Sequence, residues 1–363
     1  MKIVIACDSF KGTFSSTDIA DAIKKAVQKR LPDAEIVSIP VSDGGEGVVE
    51  VLKEAMGGTE VTVTVTDPNF EQTDATFLLC DDVAVIESAQ ACGITLSKPL
   101  DTKKKTTYGV GEMIKAAVDR GAKRILLGLG GSGTTDGGCG MAAALGTSFF
   151  DKEGKPIVPV GETLLKIDSV KVVKKYDVTA LCDVKTPLSG KNGAAYIYGP
   201  QKGATDSDVE MLDEGLKHLS EVIGSQGYDY SQIPGAGAAG GLGYGVLTFC
   251  NGKLRRGIDV VLDELRFEEK IKGADYIVTG EGALDHQSFC GKVVDGILSR
   301  ANGVPVIGFV GINKIPDAAE KGLCAVFETN DKHLPFAEIL DQLETQLHAA
   351  ADRLAAYVSE KGE

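Results

Sequence analysis

At 363 residues, with 43% hydrophobic and 25% charged side chains, the chain has the composition of a soluble globular protein, which excludes a disordered, fibrous or disulfide-stapled scaffold and suggests two domains. Thirty-eight basic against 52 acidic residues leave a net charge of −14, so a general attraction to nucleic acid or to an anionic membrane is not expected, and an anionic ligand would need a locally basic site. Glycine, at 45 residues, is the strongest enrichment and clusters without a repeat, the mark of loops that turn sharply or approach a ligand. The eight cysteines stand far apart with no CxxC spacing, and no apolar run approaches a membrane span or a signal-peptide core; the expectation is a cytoplasmic protein with reduced thiols and no anchor.

The chain opens with an apolar run, Lys2–Cys7, that reads as a strand. After the loop Asp8–Thr17 comes a helix with Ile19, Ala22, Ile23, Ala26 and Val27 on one face and N-cap candidates at Ser15, Ser16 and Thr17. A second strand, Glu35–Val41, enters Ser42-Asp43-Gly44-Gly45-Glu46-Gly47, and a helix follows over Val48–Met56. This βαβα opening implies a parallel sheet. After Gly57-Gly58 the pattern becomes alternating over Glu60–Val65, Asp74–Leu79 and Val83–Glu87, as in an antiparallel ribbon. A helix (Val110–Arg120), a strand (Arg124–Leu129), a glycine-rich stretch (128–140), a strand near Val178–Cys182, a long helix (Asp206–Gly224) and a second glycine-rich stretch (235–245) follow. From Asp275 the βα rhythm returns with strands Tyr276–Gly280, Val304–Val310 and Ala325–Thr329, a helix over Val293–Ala301, and a closing helix striped by Leu340, Leu343, Leu347, Leu354 and Val358. The expected fold is α/β with two domains. One is a discontinuous flavodoxin-like, doubly wound parallel sheet of order 2-1-3-4-5 built from 1–58 and 274–363; the other, 59–273, is an inserted α/β domain carrying glycine-rich loops.

Five segments carry candidate chemistry. Asp8-Ser9-Phe10-Lys11-Gly12 follows the first strand at its carboxyl end, where open α/β sheets bind ligands; Lys11 suits an anion and Asp8 a metal or hydroxyl. In 42–47, three glycines within four positions leave backbone N–H groups unshielded while Asp43 and Glu46 can accept from ligand hydroxyls. Gly128-Leu129-Gly130-Gly131-Ser132-Gly133-Thr134-Thr135-Asp136 formally matches GxGxxG. A carboxylate within that loop would repel a pyrophosphate unless a divalent cation lies between, so N–H donors and hydroxyls beside Asp136 suit nucleotide phosphates carrying Mg²⁺ better than a dinucleotide. The glycines of 235–243 match GxGxxG a second time, and tight backbone packing explains them equally well. In Thr279–Ser288 the carboxylates Glu281 and Asp285, with Lys292 beyond, can position Mg²⁺ and a phosphate together, and His286 reads as polar surface. No GxxxxGK[ST] motif occurs, which excludes a P-loop enzyme.

Taken in order, DSFKG at 8–12, SDGGEG at 42–47, GLGGSGTTDGGCGM at 128–141, CDVKTPLSG at 182–190, GPQKGA at 199–204, PGAGAAGGLG at 234–243 and TGEGALDHQS at 279–288 resemble the type 1 glycerate kinase family across essentially the whole chain. The resemblance implies ATP- and Mg²⁺-dependent phosphorylation of D-glycerate, usually at the 2-hydroxyl in bacterial members, on a two-domain α/β fold. The chain departs from the family at Ala283, where arginine is common, at Cys7, where proline is common, and at Asp101–Lys105, which replaces an Arg-Asn-Pro segment; Lys103 to Lys105 are the substitute cations there.

On this resemblance, in-line transfer of the γ-phosphoryl group is expected, with the protein positioning the partners and spreading charge. Gly130, Gly131, Ser132, Gly133, Thr134, Thr135, Asp136 and Lys292 are the expected nucleotide-binding residues. Asp8, Ser9, Asp43, Gly44, Gly45, Glu46 and Lys202 are expected at the substrate, across an interdomain cleft from the nucleotide loop, and Lys11 counters charge. Asp285 and Glu281 are the expected metal partners. Either Asp183 or Asp285 takes the hydroxyl proton; Asp183, in a block with no phosphate loop, is the expected base. The expected partners are D-glycerate and ATP, with no nucleic acid and no membrane, and assembly with copies of the same chain is compatible with the sequence. The rival readings are an NAD(P)-dependent oxidoreductase of a small hydroxy acid and a small-molecule sensor.

Overall fold

The computed structural model describes every residue except Lys11, Asp43, Glu46, Lys174, Tyr228, Gly362 and Glu363, together with all side chains but those of Phe336 and Ala337 in the remainder. The chain divides into two compact units. The first contains Met1–Asp43, Glu54–Met56 and Ile258–Glu363; the second contains Gly44–Lys53 and Gly57–Gly257.

The first unit is built on a parallel sheet whose strands run in the order Glu35–Ser38, Lys2–Cys7, Tyr276–Gly280, Val306–Val310, Leu323–Glu328. Its inner strands are almost wholly buried, as apolar runs covered on both faces must be. Over one face lies the helix Ser16–Arg30. Ser15 caps it: the Ser15 hydroxyl accepts the Asp18 N–H at 3.1 Å, and the Asp18 carboxylate accepts the Ser15 hydroxyl at 2.7 Å and the Ser15 N–H at 2.9 Å, two bonds that hold the Asp18 carboxyl below its ordinary pKa. The helix buries Ile19, Ala22, Ile23, Ala26 and Val27 in one cluster with Leu347, Ala350, Leu354 and Val358 of the closing helix Leu343–Lys361. Small residues let these helices approach, and each buried Ile or Val contributes about 1.5–3 kcal/mol of transfer free energy.

The second unit holds a mixed sheet in the order Lys253–Arg255, Val178–Leu181, Arg124–Gly128, Val83–Glu87, Gln72–Cys80, Thr59–Thr66. The first four strands are parallel and the last two antiparallel. Helices Tyr108–Asp119 and Ala238–Phe249 pack on one apolar cluster, and Asp206–Gly224 anchors another.

Several boundaries differ from the sequence expectation. The first unit resumes at Ile258 rather than 274, because 259–270 is tied to the helix Val293–Arg300: Arg300 pairs with Asp263 at 2.6 Å, Glu268 at 3.0 Å and Asp259 at 3.5 Å. Gly44–Lys53 groups with the second unit, where the Gly47 N–H donates to Glu87 Oε1 at 2.8 Å. The fourth strand of the first sheet starts at Val306, not Val304, since Pro305 has no N–H for the ladder. The closing helix is a short turn at Phe336–Ile339, a 3₁₀ turn at Leu340–Gln342, and then the long helix. The short strand Lys253–Arg255 and the hairpin Ser148–Phe150 with Ser169–Lys171 were not foreseen. Each is three residues long, too short for a periodic pattern.

Candidate active site

In the first unit a pocket of about 540 Å³ opens beside the carboxyl ends of strands Lys2–Cys7, Tyr276–Gly280 and Val306–Val310. Its position follows from the parallel sheet, whose strand ends deliver their loops to one edge. Gly280 is required there: a Cβ would lie 1.6 Å from the Phe309 carbonyl oxygen. Beyond it the chain turns outward with Glu281 and Asp285 lining the pocket, joined by Asp8, Ser9 and Lys292.

Glu281 is only 9% exposed, and its Oε1 is buried without a hydrogen-bond partner among the described residues, while Oε2 lies 3.5 Å from Lys292 Nζ. Burial pushes the Glu281 carboxyl above its ordinary pKa, opposed by the Ser288 hydroxyl and by Lys292. Asp285 is held by its own turn, with the Gln287 N–H donating to Oδ1 at 2.8 Å and the Asp285 N–H donating to Ser288 Oγ at 3.0 Å. Asp8 accepts the Ser9 N–H at 2.7 Å. Phe10, stacked on Phe309 with ring centroids 6.4 Å apart, forms part of the apolar wall with Phe14, Ile312 and Leu343. Lys292, expected with the nucleotide, lines the same first-unit pocket as Asp8, Ser9, Glu281 and Asp285. Thr13, Lys314, Thr329 and Asn330 also line this pocket and were missed. Their signal was positional: Thr329 and Asn330 directly follow the strand Leu323–Glu328 at its ligand-facing end.

In the second unit the loop after Arg124–Gly128 has a different interior. Gly130 and Gly131 are exposed and line a pocket of about 360 Å³ with Gly45, Glu87, Gln90 and Thr95. From Ser132 onward the loop is buried. Asp136 is fully buried: its Oδ2 accepts from the Thr107 N–H at 2.8 Å, the Thr107 hydroxyl at 2.9 Å and the Gly140 N–H at 3.2 Å, and its Oδ1 from the Gly138 N–H at 3.0 Å. Burial pushes its pKa up and these bonds oppose it. Asp136, expected beside a metal-bound phosphate, thus accepts four hydrogen bonds from the loop it shapes and from Thr107. The expected phosphate hydroxyls divide similarly. Thr135 pairs with Thr102 at 2.7 Å, Thr134 Oγ1 is buried with no hydrogen-bond partner among the described residues, and Gly133 packs so closely that a Cβ would lie 2.0 Å from Ser97 Oγ. Glu87, Gln90 and Thr95 went unforeseen, although Glu87 ends a parallel strand.

The remaining expected residues are spread between the units. Asp8 and Ser9 line the first pocket, Gly45 lines the second, and Gly44 packs against Gly257, where a Cβ would meet Cα at 2.4 Å. Lys202, expected at the substrate, lies buried in the second unit beneath the glycine loop, donating to Ser132 Oγ at 3.0 Å and to the Thr134 carbonyl at 2.8 Å. Asp183 is exposed, and its Oδ1 accepts the Gly257 N–H at 3.0 Å. Lys11, Asp43 and Glu46 lie outside the described residues. The substitute cations have structural partners: Lys103 binds Asp208 at 2.9 Å, Lys104 lies 3.6 Å from Asp101, and Lys105 donates to Asn69. The glycines of 235–243 serve packing, since a Cβ on Gly240 would come within 1.9 Å of the Thr134 carbonyl oxygen.

The sequence pattern of the glycerate kinase family matches residues 3–359. The glycerate kinase of Bacillus cereus (strain ATCC 10987 / NRS 248) is 40% identical over 98% of this chain and 97% of its own length. The glycerate 2-kinase of Escherichia coli (strain K12) is 40% identical over 90% of each chain. A crystal structure from Salmonella typhimurium LT2, provisionally named glycerate kinase 2, superposes with a TM-score of 0.88 at 37% identity, covering 100% of this chain and 99% of that one. A match that runs from the first strand to the closing helix, and that includes the acidic pocket and both glycine loops, leads to one conclusion: the chain belongs to the glycerate kinase family of enzymes.

Proposed function

We propose that the protein is an ATP- and Mg²⁺-dependent kinase that phosphorylates D-glycerate at the 2-hydroxyl, giving 2-phosphoglycerate. The observation that carries this reading is the first-unit pocket, where a buried carboxylate oxygen of Glu281 has no donor among the described residues and stands beside Lys292, Asp8, Ser9 and Asp285. A carboxylate left short of donors in a buried place is poised for a cation or a ligand hydroxyl. Among the described residues no three His, Cys, Asp or Glu side chains cluster into a cage. Mg²⁺ ordinarily takes one or two carboxylates with waters and substrate phosphates, and Glu281 as a single carboxylate fits that donor set. Mg²⁺ there would neutralise charge on the transferring phosphoryl group.

The chain's own residues do the rest. In the first unit Lys292 offsets negative charge while Asp8 and Ser9 hold the substrate hydroxyls; the second unit's loop by itself offers the 130–131 amides to nucleotide phosphates. We assign proton removal to Asp285 in preference to Asp183, because Asp285 lines the same pocket as Asp8 and Ser9. A positioned base contributes about 10²–10⁴-fold. Asp285→Asn should lose kcat by that order with an unchanged Mg²⁺ dependence, and Asp183→Asn should stay within a few fold of the parent. Recovery of Asp285→Asn at high Mg²⁺ would return that residue to the metal. We read the sheet of the first unit as flavodoxin-like. We also place the protein in the cytoplasm: all eight cysteines are free, and among the described residues no helix is long and apolar enough to cross a membrane.

The dinucleotide reading is not favoured. The helix after the first GxGxxG is the six-residue Cys139–Ala144, and the second match runs into left-handed backbone at Ala239–Gly241, so neither loop opens the continuous helix a pyrophosphate needs. Phosphorus NMR of the protein with ATP, Mg²⁺ and D-glycerate tests the proposal. ADP and 2-phosphoglycerate should appear only when all three are present. Formation of 3-phosphoglycerate overturns the regiochemistry, and reduction of NAD⁺ by glycerate without ATP turnover overturns the kinase reading.

A further inference from the structure

Lys202 is 3% exposed, at the end of the 3₁₀ turn Pro200–Lys202, and it is a cation enclosed by a loop rather than presented to solvent. Its ammonium group has three N–H donors and no lone pair, so in the bond to Ser132 Oγ the hydroxyl oxygen must accept. The Ser132 hydrogen is thereby directed away from Lys202, and among the described residues nothing accepts it. Ser132 immediately follows Gly130 and Gly131, the exposed residues of the loop that line the second-unit pocket. Glu87, the carboxylate at that pocket nearest in sequence to the end of its strand, is engaged at Oε1 by the Gly47 N–H at 2.8 Å.

We propose that Lys202 is a positioning residue that acts through Ser132, fixing the Ser132 hydroxyl as a hydrogen-bond donor to the phosphate groups of the bound nucleotide. This rests on the reading that the 130–132 segment takes nucleotide phosphates. The arrangement explains why a buried lysine is retained where an apolar side chain would avoid the penalty of burying charge. It also makes the donor sensitive to pH. Burial pushes the Lys202 pKa down to about 8; the groups facing it are Asp136 from the loop, whose carboxylate opposes that shift, and Cys92, which ends the short helix Ala89–Cys92. The Cys92 thiol is itself pushed up to about 12 and stays neutral. Once Lys202 loses its proton, the amine gains a lone pair and can accept from Ser132, which removes the donor from the nucleotide.

The test is calorimetric titration of the full chain with Mg-ADP and, separately, adenosine at pH 7.0 and 9.0, for the parent protein, Lys202→Met, Ser132→Ala and the double variant. In the parent, ADP affinity should fall several-fold, at most about tenfold per pH unit above the Lys202 pKa, while adenosine affinity stays constant. Each single variant should bind ADP about tenfold or more weakly at pH 7.0, as expected for loss of a charge-supported hydrogen bond. The double variant should be no worse than either, and all three should lose the pH dependence. Parent affinity in Lys202→Met with weakened Ser132→Ala overturns the role of Lys202 and leaves the loop reading standing. ADP binding unaffected by both substitutions overturns both. Should Lys202→Met fail to fold, the parent's own pH dependence decides, and an ADP affinity equal at the two pH values overturns the proposal.

Discussion

Two acidic glycine loops follow parallel strands in this molecule, and their carboxylates have opposite circumstances. In the first unit Glu281 is buried with an oxygen to which no described residue donates, next to a lysine 3.5 Å away. In the second unit Asp136 is buried more deeply and accepts four hydrogen bonds from Thr107, Gly138 and Gly140. Burial alone therefore does not mark a reactive group; the number of donors left over does. A fully satisfied carboxylate shapes its loop, whereas an under-supplied one is available to a ligand.

The comparison predicts effects of different kinds. The largest is on turnover: Glu281→Gln should lower kcat/KM for glycerate by about 10²–10⁴-fold, within the range given for a single electrostatic or acid–base group. Its stability should not fall at pH 7. Because burial raises the folded-state pKa of Glu281, the carboxyl favours the folded state at low pH, and that contribution is lost as pH rises through the folded-state pKa. The parent should thus gain on the Gln variant as pH is lowered toward 4.5, which urea unfolding at two pH values measures.

Asp136→Ala comes next, and here the effect is on folding. Four buried donors lose their acceptor together, at a cost on the order of 3–5 kcal/mol in urea unfolding.

Smaller again is the Lys202 contribution. Its folded-state pKa of about 8 lies below the ordinary 10.5, so the unfolded chain binds more protons between those values and stability should rise with pH across that window. Relative to Lys202→Met the parent should gain up to about 3 kcal/mol between pH 8 and 10.5. No relative gain would place the pKa elsewhere.

The smallest effect belongs to Lys103→Ala. Lys103 donates to Asp208 at 2.9 Å and, with the Thr205 hydrogen bonds, holds that carboxyl down to about 2, yet the pair is partly solvated. A loss under about 1 kcal/mol is expected, present above the unfolded carboxylate pKa and vanishing as pH falls toward 2. An unchanged glycerate KM would separate Lys103 from substrate recognition; a raised KM would restore it as the substitute cation.

How much of this was legible in the sequence differs between the two units. The first unit's strands are continuous apolar runs separated by patterned helices, so its parallel sheet could be read directly, and Asp8, Ser9, Glu281 and Asp285 follow strand ends where ligands belong. The second unit was legible only in outline. A loop such as GLGGSGTTD shows which groups are present but not which way they turn, and the burial of Thr134, Thr135 and Asp136 depends on contacts with Thr102, Thr107 and Gly240, distant in sequence. The burial of Lys202 was hidden for the same reason: its partners lie 68 and 70 residues away.

The most direct test of the account is to measure turnover and thermal unfolding side by side for Glu281→Gln and Asp136→Asn at pH 7. The account predicts that Glu281→Gln melts at or above the parent temperature and is almost inactive. Asp136→Asn should melt well below the parent while each folded molecule retains near-parent turnover. An active Glu281→Gln, or an Asp136→Asn that folds like the parent but does not turn over, would contradict the division between the two loops.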